Sequence, residues 1–232
     1  MKKIILFIIV LQLSACNELQ QVVNNLPAES LTNSQISGGL KEALEKGITN
    51  QVTLLAKKDG FYKNQLAKIY MPQELQKVEN TLRKLGLGSL ADEGVKMLNR
   101  AAEDAVGEAI PIFTDAIKGL TLADAKNILL GNKNAATNYL QQATNTALYA
   151  KFEPVIKNSF KKVGADQIWR NLITKYNNLP LTNDVNPDLT NYVTGEALKS
   201  VYKMVEKEEL NIRTKVSSRT TDLLRKVFAL QD

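Results

Sequence analysis

From Gly39 onward, apolar side chains recur at the three- and four-residue spacing of an α-helix, and this periodicity constrains the fold more than any other feature. No segment of useful length alternates apolar and polar residues as a half-buried strand would. Six prolines and twelve glycines are too few for a chain built from many turns. The sequence therefore predicts an all-α fold, a single irregular domain of about eight helices over residues 38–232.

Prolines, glycines and capping residues predict where these helices begin and end. The first helix should end near Asp59-Gly60, and Pro72 should lie in the first turn of the second. Pro111 should kink or divide a long helix. The further predicted elements are capping boxes at Ser89–Asp92 and Thr121–Asp124, helices near 134–150, 154–163 and 166–177, a loop at 177–187, a helix opened by Asn186-Pro187, and a last helix capped by Ser217 or Ser218.

The first fifteen residues, MKKIILFIIVLQLSA, have the organisation of an export signal. Lys2 and Lys3 precede a ten-residue apolar run, and Leu13, Ser14 and Ala15 supply the small residues that a signal peptidase recognises. At 1.5 Å per residue this run covers only about 15 Å, half of the roughly 30 Å hydrocarbon core of a bilayer. We therefore interpret residues 1–15 as a signal peptide that is removed, and not as a membrane span.

Cys16 follows these residues directly, and Leu13-Ser14-Ala15-Cys16 resembles the lipobox of bacterial lipoproteins, in which the cysteine sulfur receives a diacylglycerol. The alternative is a buried cysteine in a core helix, which would not explain the lysines, the apolar run and the small residues together. We expect Cys16 to be the lipid attachment site, because two or three acyl chains anchor a protein stably where one chain is marginal.

The segment after the cysteine is rich in Asn, Gln and Ser and shows no sustained periodicity, so residues 16–37 are predicted to be a lipid-anchored flexible linker. About 20 flexible residues give a reach of roughly 25 Å. Asn17 is not the aspartate associated with retention in the inner membrane. We therefore expect a bacterial cell-envelope protein on the outer membrane, facing the periplasm.

Composition excludes several classes of site. The chain has no histidine, and its single cysteine is assigned to the lipid, which excludes Ser-His-Asp and Cys-His nucleophiles and histidine zinc sites. The formal net charge is +6 with the two signs well mixed, whereas a nucleic-acid binder concentrates its bases on one face. We expect no cofactor, no metal and no nucleic-acid partner, although carboxylate pairs remain open.

Several strings in the chain are shared with one family: DGF at 59–61, MLNRAAEDA at 97–105, PIFTDAI at 111–117, LTLADAKNILLGNKNAATNYL at 120–140, YVT at 192–194 and EELNIRTKVSSRTTDLLRKVF at 208–228. Together they resemble the bacterial domain-of-unknown-function family numbered 4197, a set of exported helical proteins that often carry lipoboxes. The resemblance covers about residues 36–228. It implies a helical domain in the cell envelope and no activity. After Gly131 this chain is less acidic than the family usually is, which argues against a metal loop there.

Two groups of charged residues are the candidate interaction sites. Arg100, Glu103 and Asp104 add polar groups to a central helix built largely from small residues. Arg213 and Arg219 belong to a C-terminal segment in which five bases oppose one acid. Either both groups are solvated faces, or an interhelical ion-pair network joins them, or the C-terminal bases face an anionic lipid or polymer. The segment's large apolar residues indicate that it is packed on the domain: Leu210, Leu223, Leu224, Val227 and Phe228.

Two other motifs allow a functional interpretation. Glu29-Ser30 resembles the start of lytic transglycosylase motifs, but it lies in the linker, where no apolar pocket could raise the pKa of the glutamate. Residues 131–137 could offer backbone amides to an anion at a helix N-terminus. We favour the alternative for the second motif, a plain turn between helices with a glycine C-cap and an asparagine N-cap.

We therefore expect a non-enzymatic binding or structural module. Its partners are the membrane, through the N-terminal lipid, and an envelope protein, a lipid or an anionic polymer. The alternative is a carboxylate-dependent glycan or peptidoglycan hydrolase or transglycosylase. Such an enzyme needs a cleft with two carboxylates about 5–9.5 Å apart, whereas a binding module would show an exposed apolar groove or patch.

Overall fold

The structure, a computed structural model, describes residues 31–84, 86, 88–162, 169–170, 173–174, 177 and 188–231. No strand occurs among these residues, and the prediction of an all-α single domain is confirmed. None of the described helices is long and apolar enough to cross a membrane. Eight α-helices have described bounds: α1 Asn33–Ala56, α2 Gln73–Lys84, α3 Gly88–Val106, α4 Ala109–Lys118, α5 Leu122–Leu129, α6 Ala135–Lys162, α7 Thr190–Thr214 and α8 Asp222–Phe228.

Helix α1 contacts α3, α4, α5, α7 and α8, so much of the core forms around it. One face of α1 is buried over between four and five turns at helical spacing: Gly39, Leu40, Ala43, Leu44, Gly47, Ile48, Val52 and Leu55. The helix begins at Asn33, so residues 33–37, which were assigned to the linker, are helical. Their side chains are exposed or half-buried, so no apolar periodicity indicates this part of the helix.

Helix α6 is one continuous helix of 28 residues, with Pro154 inside it. The prediction of two helices, near 134–150 and 154–163, is therefore wrong. Leu148, Phe152, Ile156 and Phe160 are buried at four-residue intervals on both sides of the proline. Packing of this shared face against α3, α4 and α7 offsets the hydrogen bond that the proline removes.

Other helix boundaries also depart from the sequence prediction. The division near Pro111 falls at residues 107–108, and Pro111 lies in the first turn of α4, where its missing N–H is not needed. Helix α3 already begins at Gly88, so Ser89 is inside it. The last helix is capped by Thr221, whereas residues 217–218 belong to a short 3-10 turn.

The capping box at Thr121–Asp124 is confirmed, because the Thr121 hydroxyl accepts the Asp124 N–H at 3.1 Å and the Asp124 carboxylate accepts the Thr121 N–H at 3.0 Å. Pro72 directly precedes α2. Within the predicted helix at 166–177, the described residues are helical. Helix α7 begins at Thr190, and the predicted loop and start signal at 178–187 lie outside the described residues.

The C-terminal segment packs on the domain as predicted. Leu224, Val227 and Phe228 are buried, and α8 contacts α1. A Cβ atom added at Gly39 would lie 2.7 Å from Cγ2 of Val227, so the glycine allows this close approach. Leu210 is the exception to the prediction, because it is 41% exposed on the outer face of α7.

Candidate functional site

The candidate residues of the lipid signal, Leu13, Ser14, Ala15 and Cys16, lie outside the described residues, as does Glu29-Ser30. Their roles stay predictions. The structure places the other candidates, Arg100, Glu103, Asp104, Arg213 and Arg219, in two separate parts of the fold.

Glu103 on α3 binds the segment that follows α1. Its side chain is only 4% exposed, and its carboxylate accepts the backbone N–H groups of Phe61 at 3.1 Å, Tyr62 at 3.3 Å and Asp59 at 3.2 Å. Arg100 donates to the same carboxylate and also pairs with the Asp59 carboxylate. These five residues, the Glu103 cluster, fix a turn in which Asp59 has the left-handed φ of 69°.

The Asp59 carboxyl of the Glu103 cluster has a lowered pKa. Hydrogen bonds from Lys63 and Arg100 lower its pKa to about 2, since both stabilise the ionised form. Asp59 is therefore ionised at any physiological pH, and it balances the arginine that also faces Glu103.

Asn99, one helical turn before Glu103, holds the same segment farther along. Its amide oxygen accepts the Ile69 N–H at 2.8 Å, and its amide nitrogen donates to the carbonyls of Ile69 and Val95 at 2.7 Å each. Asp104 faces the other way and accepts the Ser159 hydroxyl of α6 at 2.7 Å. The polar residues of α3 thus fix the segment between α1 and α2 and, through Asp104, bind α6.

Glu209 and Arg213, one turn apart on α7, form a buried ion pair with 2.8 Å between Oε1 and Nη2 and side-chain exposures of 5% and 6%. The Glu209 carboxylate accepts the backbone N–H groups of Ala136 and Thr137 at 2.9 Å and the Thr137 hydroxyl at 2.8 Å. These amides are at the first turn of α6, where a helix leaves its N–H groups without internal partners.

The Arg213 guanidinium completes the arrangement at the end of the neighbouring helix. It donates to the carbonyls of Ile128 at 2.8 Å and Leu129 at 3.1 Å, in the last turn of α5. The carboxylate therefore faces the positive end of one helix dipole and the guanidinium faces the negative end of another. We call this set the Glu209 cluster: Ile128, Leu129, Ala136, Thr137, Glu209 and Arg213.

The Glu209 cluster decides between the two interpretations of residues 131–137. The amides at 136 and 137 already bind a carboxylate from α7, so they are not offered to an external anion. The plain turn that we favoured is present, with Leu130 as the C-cap of α5 and Gly131 after it. The acceptor for the α6 amides, however, is Glu209 and not the predicted asparagine.

Of the three alternatives for the charged groups, an ion-pair network between the C-terminal segment and α3 is not found in the described contacts of Arg213 and Arg219. Arg213 pairs within α7, and Arg219 donates to the carbonyls of Ile212 and Arg213 at 3.0 Å. Both arginines lie beside helix ends, whose free carbonyls are nearer acceptors than the α3 carboxylates. Sequence reasoning missed Glu209. Its signal was a glutamate four residues before an arginine, at the buried spacing of Val205 and Ile212.

An open groove of about 680 Å³ crosses the outer face of α7. We call it the Lys203–Leu210 groove, and its lining residues are Leu66, Asn132, Lys133, Asn134, Lys203, Glu206, Lys207 and Leu210. A smaller cleft of about 390 Å³ shares Lys133 with it and contains Leu130 and Leu230. A third cleft, of about 160 Å³, includes Glu93, Arg100 and Asp104. The described part of the chain holds no group of acidic or cysteine residues arranged to bind a metal ion.

A family model described as a protein of unknown function, DUF4197, matches residues 30–229 of the chain. No curated protein and no solved structure matches the sequence. The matched range contains both clusters and the groove.

Proposed function

This chain belongs to the DUF4197 family of proteins of unknown function, and we propose that it is a lipid-anchored protein of the bacterial cell envelope whose helical domain binds a partner without catalysing a reaction. The anchor in this proposal is a diacylglycerol on Cys16, and the membrane is the outer membrane, with the domain in the periplasm. The support for the anchor is the sequence MKKIILFIIVLQLSAC, with its lysines, apolar run and small residues before the cysteine.

The main support for a binding role is that the buried polar groups serve to stabilise the fold. Among the described residues, every buried side-chain nitrogen and oxygen has a hydrogen-bond partner. The partners of Asn99, Glu103 and Glu209 include backbone groups of other segments, so these side chains stabilise the fold. At the surface, apolar and cationic side chains stand together in the Lys203–Leu210 groove.

The competing hydrolase gains no support from the cleft that holds Glu93 and Asp104. These acids are eleven residues apart on one helix, which places them roughly 16 Å apart along its axis. The paired carboxylates of a glycosidase lie about 5–9.5 Å apart. Asp104 is also engaged by the Ser159 hydroxyl, which suits a structural role.

The anchor is tested by replacing Cys16 with serine in the full chain, expressed in bacteria with a palmitate analogue. The variant should lose all labelling and should no longer be processed to the lipidated form. A matched control is Ser14→Ala, which keeps a small residue before the cysteine and should label normally. Labelling of the Cys16→Ser variant at the normal level would refute the anchor.

The non-enzymatic role is tested with the purified protein on peptidoglycan, ester and phosphoester substrates. We expect no turnover on any of them. Glu93→Gln and Asp104→Asn serve as diagnostic variants, because a contaminating enzyme would be unaffected by them. Activity that is reproducible and lost on changing a single acid would establish the hydrolase instead.

A further inference from the structure

We propose that the Lys203–Leu210 groove is the surface with which the domain lies on an anionic phospholipid bilayer. This inference rests on the proposed lipid anchor, which would hold the domain beside such a bilayer. The inference specifies which face of the domain turns toward the lipid and which headgroup charge that face prefers.

The groove has an excess of positive charge. Lys133, Lys203 and Lys207 line it with a single acid, Glu206, which accepts a hydrogen bond from Asn134 at 3.5 Å. Within the ranges that the structure describes, none of the three lysines takes part in an ion pair. Their ammonium groups are therefore available to headgroup phosphates.

Exposed leucines lie among these lysines. Leu210 is 41% exposed and Leu66 is 37% exposed, and the neighbouring cleft adds Leu130 at 70% and Leu230 at 52%. The Lys203–Leu210 groove and this cleft meet at Lys133. Four of the nine large exposed apolar side chains in the described residues therefore lie in these two adjoining depressions. Leucines flanked by lysines are typical of helices that lie in the interface of a membrane.

Helix α7 presents this surface rigidly. Lys203, Lys207 and Leu210 follow one another at four- and three-residue intervals, which places them on one face of the helix. The opposite face carries the buried residues Val205 and Glu209. The surface thus needs no rearrangement to meet a flat partner, and binding loses little conformational entropy.

A bilayer accounts for both kinds of side chain in the groove, whereas an anionic polysaccharide would use the lysines and leave the leucines in water. The depressions are open, and a fluid interface adapts to such a surface without a complementary shape. The proposed linker, shortened to residues 16–32 by the start of α1, has an r.m.s. reach of only roughly 23 Å, so that even weak affinity keeps the domain on the lipid.

The test uses the mature chain from residue 16 onward, made with Cys16→Ser so that no acyl chain contributes. Cosedimentation is measured with vesicles of phosphatidylcholine alone and with vesicles that also contain phosphatidylglycerol. We expect binding only to the anionic vesicles, weakening as salt is added. Lys203→Gln and Lys207→Gln should each lower the affinity by about fivefold. Leu66→Ser and Leu210→Ser should also weaken binding.

Matched controls lie outside the two depressions. Leu54→Ser and Leu90→Ser change leucines that are 46% and 54% exposed, and Lys157→Gln changes a lysine of a different cleft. These variants should bind like the unmodified chain, and all variants should keep its melting temperature. Equal binding to neutral vesicles, or equal losses in the controls, would overturn the proposal, as would capture of acidic proteins without any vesicle binding. Failure of the anchor alone would show as absent palmitate labelling while vesicle binding persists.

Discussion

The Glu103 and Glu209 clusters use the same three parts in different surroundings. Each has a buried carboxylate, an arginine within one helical turn, and backbone N–H groups from a distant segment. In the Glu103 cluster the arginine is 28% exposed, and the amides come from an irregular turn. In the Glu209 cluster both charged side chains are nearly inaccessible, and their partners are two helix ends.

The difference shows how burial changes the role of an ion pair. Water can reach part of the Arg100 side chain and replace a lost partner there. Much less water reaches Arg213, which borders the smaller cleft but has a side chain only 6% exposed. Its guanidinium depends on Glu209 and on the α5 carbonyls for all its described hydrogen bonds. Loss of either partner in the Glu209 cluster leaves a charge without solvation, so this cluster should be the more sensitive of the two.

The largest effect is expected from deleting residues 208–232, which removes the Glu209 cluster together with α8. The deletion exposes the face of α1 that packs on Val227 and leaves the first turn of α6 without its acceptor. We expect the truncated chain not to fold, as judged by the absence of a cooperative thermal transition in circular dichroism. An unchanged melting transition would show that the segment is an independent arm.

Arg213→Ala should come next and should destabilise the domain by about 3–5 kcal/mol, because it leaves Glu209 buried without its counter-ion. Denaturant titration of the purified protein measures this free energy of unfolding. Lys215→Ala is the control, since Lys215 is an exposed base two residues away and its loss should change stability by about 0.5 kcal/mol or less. Equal losses for the two variants would contradict the buried pair.

In the Glu103 cluster, replacing the glutamate and replacing the arginine should lower stability by different amounts. Glu103→Ala leaves three backbone N–H groups without their acceptor and should lower stability by about 3 kcal/mol. Arg100→Ala should lower it by only about 1 kcal/mol, since Arg100 is 28% exposed and water can take its place beside Glu103. Both values come from the same denaturant titration. A larger loss for Arg100 than for Glu103 would reverse our ranking of the two side chains.

Acid should affect the Glu103 cluster through Asp59, and this is the smallest effect. The folded pKa of about 2 lies below the ordinary value of 3.8, so the ionised carboxylate contributes stability that is complete above about pH 5. This contribution is lost as the pH falls through about 2. The melting temperatures of the unmodified chain and Asp59→Asn should therefore differ near neutral pH and converge as the pH falls to about 2. A difference that persists unchanged at pH 2 would contradict the lowered pKa.

The parts of the fold that could be predicted are those set by neighbouring residues. Helical periodicity gave the all-α class, and the Thr121–Asp124 capping box lies within four residues of sequence. The unbroken helix through Pro154 could not be predicted, because packing by α3, α4 and α7 overrides the local effect of proline.

The candidate residues were identified better than their partners. Arg100, Glu103 and Arg213 do form ion pairs, since a charged residue within an apolar pattern requires a partner. The amides and carbonyls that they bind belong to distant segments. Since nearly every residue has the same backbone groups, the sequence does not show which of them will be bound. The Lys203–Leu210 groove is set by the position of Leu66 beside α7, which again depends on the tertiary fold.

The contact between Gly39 and Val227 joins the first described helix to the last. A chain is synthesised from its N-terminus, so the apolar face of α1 is complete long before its partner exists. The contact between residues 39 and 227 forms only after α8 has been made, and such long-range contacts slow folding. Until then, the part of α1 around Gly39 stays uncovered, and exposed apolar surface of this kind favours aggregation. A chain cut before α8 would therefore keep this part of α1 exposed.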